Sequence, residues 1–375
     1  MILAAAMLVC RISDATEYRY SVPEQLNDGW TTADLRSENF DVTLIERLIE
    51  RIRKNTYKNI HSLLLIKNGK LILEEYFPGQ EEDGKTQRYQ RDTLHGIHSV
   101  TKSVNSLLIG IAIDQKLITG VDEKLSTILP EYKGIFENKD SGKDAICLKH
   151  FLSMTAGLAW DESSQPYTDA RNDHVAMNQS EDQIRYVLEK PLVAAPGTKF
   201  NYSSGVSIVL GEIIHKVSGM RADKFAEQHL FKPLGISDYT WSKYPNGLIQ
   251  TGGGLLLRPR DMGKIGCLVL NGGHWQGKQI VSKTWLREST KQQAPDRTYG
   301  YQWWLGQLPV GNRSVVTYGA QGRGGQFILA MPDLQLVAIC TGWNDGNGLG
   351  EQAFDMLKEF VFPADRQLFP APTSK

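Results

Sequence analysis

A chain of 375 residues can bury a sizeable core, as two domains or as one large one. Lys plus Arg balances Asp plus Glu at 42 each, so charge gives no reason to expect nucleic acid or an anionic membrane surface as partner, and small molecules are the expected ligands. Four scattered cysteines and eight histidines without an HExxH pair point to neither a disulfide framework nor a metal, and no cofactor is expected.

Met1 to Val9 is an apolar run ahead of Cys10 and Arg11. It resembles a signal-peptide core but is short and has no positive residue before it, which leaves both an exported, periplasmic and a cytoplasmic location open. No later run reaches the ~18–20 apolar residues of a membrane span. Residues 12 to 40 are polar and irregular and read as an extended arm. Ile45, Leu48, Ile49 and Ile52 then recur at helical spacing between charged residues, predicting an amphipathic helix laid on a sheet. Ser62 to Ile66 and Leu71 to Glu75 flank Asn68-Gly69, a strong hairpin signal.

His98-Ser99-Val100-Thr101-Lys102-Ser103 opens an apolar segment running through Leu107, Leu108, Ile109, Ile111 and Ile113, which predicts a buried helix. Helical patterns continue at Leu148 to Met154, Ser180 to Leu188 and Gly205 to Val217. Strand patterns return at Ser314 to Thr317, Gln326 to Met331 and Leu336 to Thr341, with a Pro332-Asp333 turn, and Glu351 to Val361 reads as a last helix. Both chain ends thus carry parts of one sheet. The expected fold class is α/β (α+β), an antiparallel sheet flanked by N- and C-terminal helices. Residues 39–93 and 296–375 would form the sheet domain and 1–38 a leader or arm. Residues 94–295 would form an inserted, mostly helical domain, with the active site between the two.

Ser99 and Lys102 lie one helical turn apart on the same face. A lysine activates a serine only if burial or nearby positive charge lowers its pKa, and the head of an apolar helix offers burial. Ser-x-x-Lys arises by chance roughly once or twice in such a chain, so further parts are needed. Tyr202, in Pro196-Gly197-Thr198-Lys199-Phe200-Asn201-Tyr202-Ser203-Ser204-Gly205, is a candidate proton relay or, alternatively, an aromatic that packs its loop. Ala320-Gln321-Gly322-Arg323-Gly324-Gly325-Gln326 enters a strand. Its amides are candidates for an oxyanion site together with the Ser99 amide, and Arg323 for a carboxylate contact. A Gly-rich bulge is the alternative, and a phosphate loop lacks both its motif and its helix.

This ordered set resembles the serine beta-lactamase-like hydrolases: class C beta-lactamases, DD-peptidases, family VIII carboxylesterases and 6-aminohexanoate-dimer hydrolases. Further stretches are similar to the last branch: Leu152 to Glu162, Gly252-Gly253-Gly254-Leu255 with Arg258-Pro259-Arg260-Asp261-Met262, and Tyr299-Gly300-Tyr301-Gln302-Trp303-Trp304. The resemblance implies a beta-lactamase/transpeptidase-like fold. It also implies that Ser99 is acylated, that Lys102 is its base, that Tyr202 shuttles the proton and that the Ser99 and Arg323 backbone amides bind the oxyanion. Trp160, Ser204, Gly322, Gly324 and Trp303 are the candidate substrate-binding residues, with Tyr167 and Trp304 as further aromatics of an apolar pocket.

Two departures bear on substrate. Tyr202-Ser203-Ser204 lacks the asparagine of the lactamase Tyr-x-Asn. Ala320-Gln321-Gly322, or alternatively Thr317-Tyr318-Gly319, stands where lactamases carry Lys-Thr-Gly, and neither restores the lysine. The expected activity is therefore hydrolysis of small esters or amides. A beta-lactamase or DD-peptidase-like enzyme and a non-catalytic binding or sensor domain are the alternatives. No G-x-S-x-G or Ser-Asp-Asn occurs, which argues against an α/β-hydrolase and a class A-like enzyme. Oligomeric state is left open.

Overall fold

The computed structural model describes residues 17–138, 142–345 and 349–369, so the signal-like run and Cys10 lie outside the described residues. Strand β1 (Thr31–Thr32) precedes helix α1 (Val42–Arg53), and β2 (Ile60–Lys67) and β3 (Lys70–Tyr76) form the hairpin. Asn68 and Gly69 both take positive φ, 51° and 75°, as a two-residue hairpin turn demands. Helices α2 (Val100–Asp114), α3 (Ser204–Ser218) and α4 (Pro259–Leu270) follow, and the chain returns through β4 (Trp304–Val310), β5 (Arg313–Gly322), β6 (Gln326–Met331) and β7 (Leu336–Gly342).

The strands make one seven-stranded sheet in the order β1-β3-β2-β7-β6-β5-β4, antiparallel throughout except for the β1–β3 pair. N-terminal β2 lies directly against C-terminal β7, with Leu65 opposite Ala338. Side chains alternate across a strand, so each central strand feeds two cores. Leu64, Ile66, Ile328, Val337 and Ile339 pack toward α2 and α4. Leu63, Leu65, Leu329, Met331 and Ala338 join the cluster formed by α1 and the C-terminal helical segment. That segment runs as Gln352–Met356, a wider π-type turn Leu357–Val361, and Phe362–Ala364.

Several sequence expectations change here. The arm is part of the sheet domain, since Trp30 is buried and β1 extends the sheet edge. Helix α4 falls within the expected helical insertion but lies on β2, β6 and β7. The insertion also carries a small sheet in which Leu255–Leu257 pairs with His95–Gly96 and Thr240–Trp241. Strand β4 was not foreseen. It is the outer edge strand, half exposed along most of its length, and contains Gly306 and Pro309, so it has neither apolar alternation nor the composition of a central strand. Among the described residues no helix is long and apolar enough to cross a membrane.

Candidate active site

The chain enters α2 from a small-sheet strand, with the Ile97 N–H donating to Leu255 O at 3.0 Å. His98 then takes a left-handed conformation, φ 46°, rare for a residue with a side chain, and this sharp turn sets Ser99 at the cap of the helix. Val100 to Ala112 are buried without interruption, Lys102 among them. Its Nζ lies 2.8 Å from Ser99 Oγ and donates to Gly252 O at 2.5 Å. Burial pushes the lysine down from 10.5 to about 8, and the opposing charge of Glu162 limits the fall.

Tyr202 closes the group, its ring centroid 5.0 Å from Lys102 Nζ. Burial first, then the charge of Glu162, raise its phenol well above the ordinary value, while a hydrogen bond with the Ser99 side chain acts in the opposite direction. The loop before α3 fixes the tyrosine: Asn201 N donates to Met154 O at 2.8 Å, and Ser203 Oγ caps α3 by accepting from Val206 N at 3.3 Å. Trp304 stacks on the Tyr202 ring at 5.9 Å.

Between the serine and tyrosine helices sits Gln302, buried and at φ 64°. Its carbonyl accepts from Ser103 Oγ of α2 at 2.6 Å and its Oε1 from Ser207 Oγ of α3 at 2.7 Å. Its Nε2 donates to Phe151 O and Leu152 O. Gln302 thus ties together α2 through its carbonyl, and α3 and the short helix Leu148–Leu152 through its side chain, and their relative placement sets the Ser99–Tyr202 geometry.

The third wall is the end of β5. A Cβ on Gly322 would stand 2.4 Å from Ile97 O, so only glycine lets this strand come up against the Ser99 turn. Gln321, Gly322, Arg323 and Gly324 line a cleft of about 900 Å³ together with Ser99 and Tyr202. Of the two candidate positions for the lactamase triplet, Ala320-Gln321-Gly322 thus reaches the cleft, whereas Thr317 is buried in the strand. Among the described residues neither the Ser99 nor the Arg323 backbone N–H donates a hydrogen bond to another group of the chain. A second cavity of about 470 Å³, lined by His98, His174, Ser204 and Gly253, also opens on Ser99.

The Arg323 guanidinium is committed elsewhere. It bonds Glu82 at 3.2 Å and Asp345, and lies over the rings of Tyr167 at 4.8 Å and Trp343 at 5.2 Å. A carboxylate-binding role, expected from sequence, is therefore already met by protein carboxylates.

The candidate substrate residues divide. Gly322 and Gly324 line the cleft. Trp303 is fully buried in the core and away from both cavities, and its neighbour Trp304 stands at the cleft instead, because successive residues entering a strand face opposite sides. Trp160 is buried behind the site and donates to Glu162 Oε2 at 2.7 Å. Ser204 is also spent on Glu162. Glu162, Gln302 and the Gly252 carbonyl received no role from the sequence. Each is a lone polar group in a loop, where no periodicity marks it.

The beta-lactamase family model matches residues 45–342. The chain belongs to the beta-lactamase family. A Salmonella typhi protein provisionally named a D-alanyl-D-alanine carboxypeptidase is 23% identical over 378 residues, covering 83% of this chain and 85% of the relative. Among solved structures, a Bacillus anthracis protein provisionally named a 6-aminohexanoate-dimer hydrolase superposes with a TM-score of 0.69 at 18% identity, over 86% of this chain and 83% of that one. A family VIII carboxylesterase superposes with a TM-score of 0.64 at 17% identity, over 84% and 96%. The fold of this beta-lactamase-family member is thus the beta-lactamase/transpeptidase-like one, shared with serine hydrolases of several kinds.

Proposed function

We propose that the protein is a serine hydrolase that cleaves small esters and amides through an acyl-enzyme on Ser99. The observation that carries this reading is the buried Lys102 amine, 2.8 Å from Ser99 Oγ and lowered to about 8, where a neutral amine is available near physiological pH. Ser99 Oγ attacks the carbonyl carbon and its proton passes to Lys102. The carbonyl oxygen gains negative charge between the Ser99 and Arg323 amides. As the C–O or C–N bond breaks, Tyr202 delivers a proton to the leaving group and is reprotonated from Lys102. Water then enters, gives its proton to the same base and attacks the acyl carbon; the Ser99 Oγ–C bond breaks, Oγ takes the proton back from Lys102, and the acid leaves. An amine leaves only when protonated, so Tyr202 bears more on amides than on esters.

Two cavities meeting at Ser99 suit a substrate whose scissile bond lies at the serine, with the acyl part in one and the leaving group in the other. The lactamase asparagine and lysine are replaced, and the serine in the asparagine position is bound to Glu162, so neither an acylamino group nor a lactam carboxylate finds its usual partner. The test is hydrolysis of short-chain p-nitrophenyl esters together with fluorophosphonate labelling. Wild type should turn over and be labelled. Ser99→Ala should lose labelling and at least about 10³-fold in kcat. Full activity in Ser99→Ala, or a wild type that is never labelled, defeats the proposal. Similarity to the provisionally named D-alanyl-D-alanine carboxypeptidase supports a second reading, which rapid nitrocefin or D-alanyl-D-alanine peptide turnover would favour over the first.

A further inference from the structure

Glu162 is 3% exposed and forms no ion pair with a lysine or arginine among the described residues. Its carboxylate is nevertheless filled with donors. Oε2 accepts from Trp160 Nε1 at 2.7 Å and from the Ser204 backbone N–H at 2.6 Å. Oε1 accepts from Ser204 Oγ at 2.9 Å and from the Tyr167 hydroxyl at 3.2 Å. None of these groups is the nucleophile or its base, yet Ser204 and Tyr167 border the site. Ser204 lies two residues from Tyr202 and starts α3. Tyr167 stands at the mouth, stacked under Arg323.

We propose that Glu162 is a positioning residue for acyl transfer, binding the Tyr202–Ser204 turn and Tyr167 to one buried carboxylate and holding a fixed negative charge toward Lys102. This rests on the function proposed above. At the position that carries a substrate-facing asparagine in lactamases, Ser204 lines the second cavity but gives both its amide and its hydroxyl to the carboxylate.

The groups facing Lys102 are Ser99 on its own helix, Tyr202 before α3, Glu162 and His174 from the intervening loops, and His98 at the turn. Arg323 is balanced by Glu82 and Asp345. His98 is pushed down to about 4 by burial and is neutral at working pH, and burial lowers His174 as well. Glu162 is then the main fixed charge opposing the desolvation of the lysine. A negative charge favours the ammonium form, so removing it lowers the lysine pKa further and frees the base at lower pH. The same removal lowers the Tyr202 phenol.

The pH profile of kcat/KM on a p-nitrophenyl ester tests this. Glu162→Gln should move the acid limb to lower pH by about one unit and reduce the plateau. Ser204→Ala and Tyr167→Phe, which remove a donor and keep the charge, should leave the limb where it is. A merely structural carboxylate predicts the opposite for Glu162→Gln, a lower rate at every pH with the limb unmoved, and that result overturns the proposal. Glu162→Asp, which restores the charge, should return the limb to within about 0.3 unit of wild type. A Glu162→Gln that does not fold marks the carboxylate as structural and overturns the proposal. Loss of Ser99 labelling in the wild type would instead remove the underlying function, so the two failures are distinguishable.

Discussion

Lys102, the base of the proposed reaction, would balance catalysis against stability. Burial holds its ammonium down from 10.5 to about 8. Because the folded value lies below the unfolded one, the cost of burying the charge is present in full below pH 8 and fades as pH rises toward 10.5. At pH 7 that cost is on the order of 3 kcal/mol, partly offset by the bond to Gly252 O. Lys102→Met should therefore abolish esterase activity while thermal unfolding at pH 7 occurs at the wild-type temperature or above it. Unfolding several degrees lower would show that the lysine is a net stabiliser. In the wild type, kcat/KM should rise with pH through an apparent pKa near 8, since only the neutral amine accepts the serine proton. A flat profile between pH 6 and 9 would assign the base elsewhere.

Helices and strands then decide where these residues meet. Helix α2 was legible because its apolar run is continuous, and the hairpin because Asn68-Gly69 requires its turn. Strand β5 was seen only in its first half, since Gly319 to Gly322 lack side chains that mark a strand, yet that half makes the site wall. Gly322→Ala places a methyl group against Ile97 O and should force β5 away from the Ser99 turn. The expected result is a kcat lower by about 10²-fold with KM little changed, as for loss of one oxyanion donor, in a protein that still folds. Steady-state kinetics beside a circular dichroism melt reads both. Unchanged kcat would place the oxyanion site elsewhere. Gln302 was missed for a different reason: one residue joining α2 through its carbonyl and α3 and Phe151 through its amide leaves no periodic pattern, because its partners lie far apart along the chain.

Across the whole molecule, N- and C-terminal segments are tied together beside one sheet. Lys67, at the end of β2, is fully buried and donates to Asp365 Oδ2 at 2.9 Å and to Leu334 O at 2.8 Å. Removing one partner leaves a buried charge uncompensated. Asp365→Ala should destabilise the protein by about 3–5 kcal/mol in denaturant unfolding, whereas Lys67→Met with Asp365→Leu should cost far less. Equal losses in the two variants would mean that packing, not charge, ties the two segments together.

Local rules acting on neighbouring residues determined the identity and order of most elements, the pairing of both termini in one sheet, and the nucleophile, lysine and tyrosine as candidates. They also set aside a metal and a nucleic-acid partner as expectations. Tertiary structure alone decided that Arg323 is neutralised by protein carboxylates, that Trp304 and not Trp303 faces the cleft, and that Glu162 sits behind Tyr202. Those facts depend on burial and on contacts between residues far apart in the chain, and no periodicity or spacing encodes either.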